Sequence, residues 1–151
     1  MTGFYDITTI LKTSLLSNPN INKVTEGSIF NIDVNKRTIF PLAHVMVNNV
    51  THEGNTLRFN VSVLCMDIVN QTSEATENDF KGNADEHDIL NTQLAVAVKT
   101  IEDFYRGDNY GGTYQLDGQP SLEPWVDRFE NCLAGWTATF DIVYKNDMTI
   151  C

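Results

Sequence analysis

Apolar positions recur along the chain with two different periods, and the switches between them mark out the elements. From Asp6 to Leu16, the residues Ile7, Ile10, Leu11 and Leu15 fall three and four apart. That spacing keeps side chains on one face and predicts an amphipathic helix of about three turns. Asp6 is placed to cap its start, and Asn18-Pro19 ends it, because a residue preceding proline is pushed out of the helical region. Residues 20–27 read as a polar connection.

Strand patterns follow. Ile29, Ile32 and Val34 suggest a short strand over Ser28 to Asn35, closed by a turn at Asn35-Lys36-Arg37. Thr38 to Val50 reads as a longer strand. Pro41 cannot donate to a ladder, so that end belongs at a sheet edge or beside a bulge. Beyond Pro41 both faces are largely apolar, with Ala43, Val45 and Val47 on one and Leu42, His44 and Met46 on the other. His52-Glu53-Gly54-Asn55 makes a hairpin turn, the glycine supplying a positive φ. The strand Thr56 to Val69 opens in clean alternation, Leu57, Phe59, Val61 and Val63 against Arg58, Asn60 and Ser62. Leu64, Cys65 and Met66 then break it as consecutive apolar residues, so the second half of the strand is covered on both faces, by an intrachain helix or by a neighbouring subunit.

Residues 70–82 are polar, acidic and aperiodic, and read as a loop. Asn83 to Arg106 carries Leu90, Leu94, Ala97, Val98, Ile101 and Tyr105 at helical spacing, with Asn83 and Glu86 in capping-box positions and Gly107 at the C-cap. Asp108 to Glu123, with its glycines and Pro120, reads as a long loop, and Pro124 to Asn131 as a short helical turn. Leu133 to Lys145 closes the chain as a strand with Trp136, Ala138, Phe140, Ile142 and Tyr144 on one face. The expected fold class is α+β: one domain over residues 1–151, an antiparallel sheet of about four strands, with a long helix and a shorter N-terminal helix packed on one face.

Composition narrows the partners. Hydrophobic residues make up 42% of the 151, enough for a core without disulfide staples. Twenty acidic against 10 basic residues give a net charge of −10, which argues against adhesion to nucleic acid or an anionic membrane surface. Three cysteines, Cys65, Cys132 and Cys151, form neither a fully paired framework nor a metal knuckle. No signal peptide or membrane-spanning run is expected. The N-x-[ST] triplets at Asn49, Asn60 and Asn70 therefore read as unmodified asparagines in a reducing cytosol.

Candidate chemistry is sparse. His44 reads as a satisfied core or interface residue, His52 as solvated at a hairpin tip, and His87 lacks a second ligand at helical spacing. There is no nucleophile elbow, no partner histidine beside a cysteine, and no phosphate-binding glycine fingerprint. The sequence thus predicts no catalytic residue, no metal and no cofactor. Loop aromatics are what remain: Phe80, Tyr110, Tyr114 and Trp125 serve either an interface or the plugging of a sheet edge.

The strand patterns Ser28–Asp33 and Thr38–Val47, with the ending Leu133–Phe140 and Asp147–Cys151, resemble the tail-terminator and neck (head–tail connector) proteins of tailed bacteriophages. The resemblance spans most of the chain and rests on strand patterns. It implies a non-enzymatic virion protein, assembled in the host cytoplasm, that forms a hexameric or dodecameric ring. Its neighbours would be portal, neck or tail-tube proteins, with DNA passing through the channel and no membrane involved. The candidate interface positions are Pro41, His52, Glu53, Asn55, Leu64, Met66, Tyr110, Tyr114 and Trp125. The alternatives are a small adaptor that binds another protein and a ligand-binding α+β domain.

Overall fold

The computed structural model describes residues 3–27, 40–69, 86–106, 114–127, 133–146 and 148. They form helix α1 (Gly3–Leu16), strand β1 (Lys23–Glu26), strand β2 (Leu42–His52), strand β3 (Thr56–Ile68), helix α2 (Glu86–Tyr105), strand β4 (Tyr114–Asp127) and strand β5 (Leu133–Lys145). The five strands make one sheet in the order β1-β2-β3-β5-β4. β1 runs parallel to β2, and every other neighbouring pair is antiparallel. The class is α+β as expected, but the sheet is mixed and carries five strands.

Both additional strands lie at edges. β1 falls in the presumed polar connection, and Val24 is its only apolar residue. What holds it is tertiary: Asn22 and Lys23 N–H donate to the Pro41 carbonyl at 2.8 and 3.4 Å. The Thr25 hydroxyl also lies 2.7 Å from His44 Nδ1. β4 replaces the expected loop from Tyr114 onward and the expected helical turn at Pro124 as far as Asp127, and the rest of both expectations lies outside the described residues. Its register against β5 shifts between Asp117 and Ser121, where Gly118 takes φ 72°. A proline and a left-handed glycine are tolerated there because an edge strand leaves one side of its backbone unpaired.

α1 begins three residues earlier than expected, so Asp6 lies inside its first turn and does not cap it. The carboxylate instead accepts the Tyr144 hydroxyl at 2.6 Å, tying the helix to β5. Gly3, Ile7, Leu11 and Leu15 are buried at four-residue intervals. In α2 the buried line is Ile89, Gln93, Val96, Ala97, Thr100, Ile101 and Phe104. Of the expected stripe only Ala97 and Ile101 lie on it. Val98 and Tyr105 are 38% and 44% exposed. The buried line includes Gln93 and Thr100, so a search for apolar spacing selects the neighbouring stripe. The expected capping residue Asn83 and cap Gly107 lie outside the described residues, as do the expected strand from Ser28 and the loop of residues 70–82.

The helices cover one sheet face, where Ala43, Val61, Cys65, Phe140 and Ile142 meet Ile7, Leu11 and Val96. The other face divides in two. Towards the start of β2, Phe40, Leu42, Leu64, Met66 and Leu133 form a second apolar cluster. Towards the β2–β3 hairpin, the face is polar. Asn48 Nδ2 donates to Asn60 Oδ1 at 2.8 Å and to Ser62 Oγ at 2.7 Å, and Asn60 Nδ2 donates to Asp141 Oδ1 at 2.8 Å.

Candidate functional site

The hairpin is built by a tight turn in which Glu53 N–H donates to the Thr56 carbonyl at 2.9 Å and Gly54 takes φ 75°. β1 pairs with Leu42–Val45, and among the described residues no strand pairs with the outer side of Met46–His52. Asn48 through Asn55 are exposed without a break. His52 and Asn55 stand at this tip, bound to the chain end. The Asn55 carbonyl accepts Asn146 N–H at 2.9 Å, and the Asn146 amide lies 3.3 Å from His52 Nε2.

Glu53 has a structural role beside the tip. Its Oε1 accepts Arg58 Nε–H at 2.8 Å, while Arg58 Nη1 bonds Asp117 on β4 and lies 3.6 Å from Asp141 on β5. Arg58 thereby bridges three strands across the open face. Its hydrogen bond holds the Asp117 carboxyl below its ordinary value, and the carboxylates raise the guanidinium above its own. One guanidinium gathers three carboxylates, the arrangement of a surface clamp.

Of the other candidate positions, Leu64, Met66 and Trp125 come together on the open face, and the other described ones lie apart. Pro41 is half-buried just ahead of β2. Leu64 and Met66 are 6% and 2% exposed in the second apolar cluster. Side chains of the sheet's own open face, with Phe40 and the half-buried Trp125, cover the second half of β3 that sequence alternation left unexplained. Leu64 and Met66 therefore belong to the interior of a single chain. Tyr114 turns inward, its ring 6.0 Å from Phe104 at 73°, so of the two roles open to it the structure gives edge packing. Tyr110 and Phe80 lie outside the described residues.

Trp125 borders an open depression of about 280 Å³ on the unhelixed face, together with Leu64, Glu123, Pro124 and Thr137. The sequence marked Leu64 and Trp125 singly as interface candidates, but their meeting in one hollow requires β4 to be a strand lying against β5. Its lining is mainly apolar, yet Trp125 Nε1–H is buried without a hydrogen-bond acceptor among the described residues. A second depression of about 260 Å³ lies between α1 and β1, with Thr8, Thr9, Lys12 and Glu26 around it.

The remaining reactive groups are built into the fold. His44 is fully buried, its Nε2 lying 3.0 Å from the Gly27 carbonyl and its Nδ1 facing Thr25. Burial pushes the Cys65 thiol up to about 12, far from a reactive thiolate. The Asp103 carboxylate joins the two helices, accepting Ser14 Oγ–H at 2.6 Å and Lys99 Nζ–H at 2.7 Å. Among the described residues no three His, Cys, Asp or Glu side chains gather as a metal site. No described helix is long and apolar enough to cross a membrane.

Comparison with known proteins finds no family model that matches the chain and no curated protein related to it in sequence.

Proposed function

We propose that the chain is a non-enzymatic structural protein of a tailed-phage particle, assembling as a ring at the head–tail junction or tail end. One observation carries the reading: the outer half of the β2–β3 hairpin has eight consecutive exposed residues, Asn48 to Asn55, and a strand edge with no pairing partner among the described residues. Exposed strand edges pair readily with another chain, and proteins that do not use them blunt them. The opposite edge is blunted: β4 carries Pro120, Pro124, Asp117, Glu123 and a register break. The hairpin edge Met46-Val47-Asn48-Asn49-Val50-Thr51-His52 has neither proline nor an acidic or lysine/arginine side chain.

Charge supports the same reading. At −10 the chain repels phosphate, a useful property for a ring through which DNA passes without sticking. The described cavities are open depressions, and Arg58, Glu53, Asp117 and Asp141 of the open face are joined in one clamp.

The decisive experiment is removal of the coding sequence from the phage that carries it. Filled heads and separate tails should accumulate, and the purified chain should restore joining in the extract. Normal infectious particles lacking the chain would refute the proposal.

A further inference from the structure

The outer edge of β2 is already half used. Along Leu42–Val45 it takes β1 as a parallel strand, the Pro41 carbonyl accepting Asn22 N–H at 2.8 Å and the Val45 carbonyl accepting Gly27 N–H at 3.1 Å. Beyond Val45 no described strand pairs with it. The turn fixes which backbone groups point outward there. Glu53 N–H bonds the Thr56 carbonyl, so these two residues form a bonded pair, and bonded and non-bonded pairs alternate along an antiparallel ladder. In the register His52↔Leu57, Thr51↔Arg58 and Val50↔Phe59, Thr51 is therefore bonded to β3. Val50 and His52 aim their N–H and C=O groups away from the sheet.

The rest of the sheet limits what can fill that edge. The same edge of a second copy meets it only across a two-fold axis, a contact that closes at two chains and builds no ring. The other described edges of a copy are poor donors, because short strands, charges and prolines discourage pairing. β1 has four residues with Lys23 and Glu26 at its ends, and β4 carries Pro120, Pro124 and a register break. A segment of a different protein remains. Its chemistry follows from the surface it joins. The edge has no acidic, lysine or arginine side chain, and the chain as a whole, at −10, repels an acidic segment. Main-chain pairing further requires an extended backbone without proline where it bonds.

We infer that the outer edge of β2 from Val47 to His52 is a strand-addition site for an extended, non-acidic segment of a different protein, held by main-chain hydrogen bonds to Val50 and His52. The inference rests on the reading above in one respect: the different protein is a neighbouring component of the particle, and the ring's own subunit contacts are left to other surfaces.

The probe is a random library of displayed peptides about nine residues long, selected on the folded full chain, with the selected sequences remade as free peptides. At about ten times their Kd, hydrogen exchange followed by NMR should slow about tenfold at the Val50 and His52 amides. Thr51, already bonded to β3, should change little. Methylating the peptide's backbone nitrogens on its bonded side should abolish binding, and methylating the alternate nitrogens should leave it. Val50→Pro, which removes an outward donor and no ladder bond to β3, should lose binding while circular dichroism shows the fold retained. Should that variant unfold, the methylated peptides on the wild-type chain decide alone. Failure to select any binder, protection elsewhere on the surface, or indifference to which nitrogens are methylated would overturn the inference. So would dimers of the chain, seen by sedimentation velocity, that Val50→Pro dissolves, since the occupant would then be a copy. The two ideas fail separately. If particles form normally without the chain while peptides still protect these amides, the virion role falls and the edge stands. If folded Val50→Pro still restores head–tail joining, the edge falls and the virion role stands.

Discussion

Gly135 lies on β5 opposite Met66, where the two central strands come so close that a Cβ would overlap the Cys65 carbonyl. No side chain can swing aside there, because the obstacle is backbone. Gly135→Ala should therefore destabilise the chain by about 3 kcal/mol, the upper part of the usual range for overpacking, read as a fall in the urea midpoint. Asp103 is a second residue with a definite signature. Burial pushes its carboxyl up, but hydrogen bonds from Lys99 and Ser14 and the charge of Lys99 outweigh this and leave it below the ordinary 3.8. A carboxyl depressed in the folded state stabilises above its unfolded value and loses that contribution as pH falls through the folded one. Acid unfolding followed by circular dichroism should accordingly steepen below about pH 4, and Asp103→Asn should flatten that segment while lowering stability at pH 7. Cys65, raised to about 12 by burial, should resist a thiol reagent until the chain unfolds, when tested with Cys132→Ser and Cys151→Ser in place.

At the scale of elements, α2 offers the clearest contrast. Phe104 is 4% exposed and packs on Phe140 and Tyr114, whereas Tyr105 is 44% exposed and only its hydroxyl reaches back, donating to the Gly118 carbonyl at 3.3 Å. Phe104→Ala should cost about 3–5 kcal/mol, and Tyr105→Phe less than about 0.5 kcal/mol, both by chemical denaturation. The sequence-based stripe includes Tyr105 and omits Phe104, the reverse of what the structure buries. That stripe failed because Gln93 and Thr100 occupy the buried line. Thr100 can do so because its hydroxyl donates to the Val96 carbonyl one turn back, at 3.1 Å. Strands followed the same logic. β3 and β5 were legible because they are central and alternate in polarity along much of their length. β1 and β4 were not, since an edge strand is specified largely by the neighbour it pairs with.

For the molecule as a whole, charge gives a prediction independent of any interface. With a net charge of −10, from 20 acidic against 10 basic residues, the chain as a whole repels phosphates. Mobility-shift assays with duplex DNA at about 50 mM salt, where electrostatic binding is strong, should show no complex. A retarded band there would contradict the picture of a surface that DNA slides past. The candidate site divides similarly by scale. The hairpin tip at His52, Glu53 and Asn55 could be read from the turn signal, but the Trp125 hollow could not, because Leu64, Trp125 and Thr137 come from three strands.

Hydrophobic period and turn chemistry by themselves determined the two helices, the β2–β3 hairpin with its left-handed Gly54, and the long central strands, since each depends on contacts close in sequence. Net charge, likewise a property of composition alone, set which partners are disfavoured. Tertiary structure decided the parallel addition of β1, the insertion of β5 between β3 and β4, the face that α2 buries, and the fate of Leu64 and Met66. Those outcomes turn on which surfaces meet after collapse. The free energy of burying a side chain depends on the neighbour it finds, and that neighbour is distant in the chain.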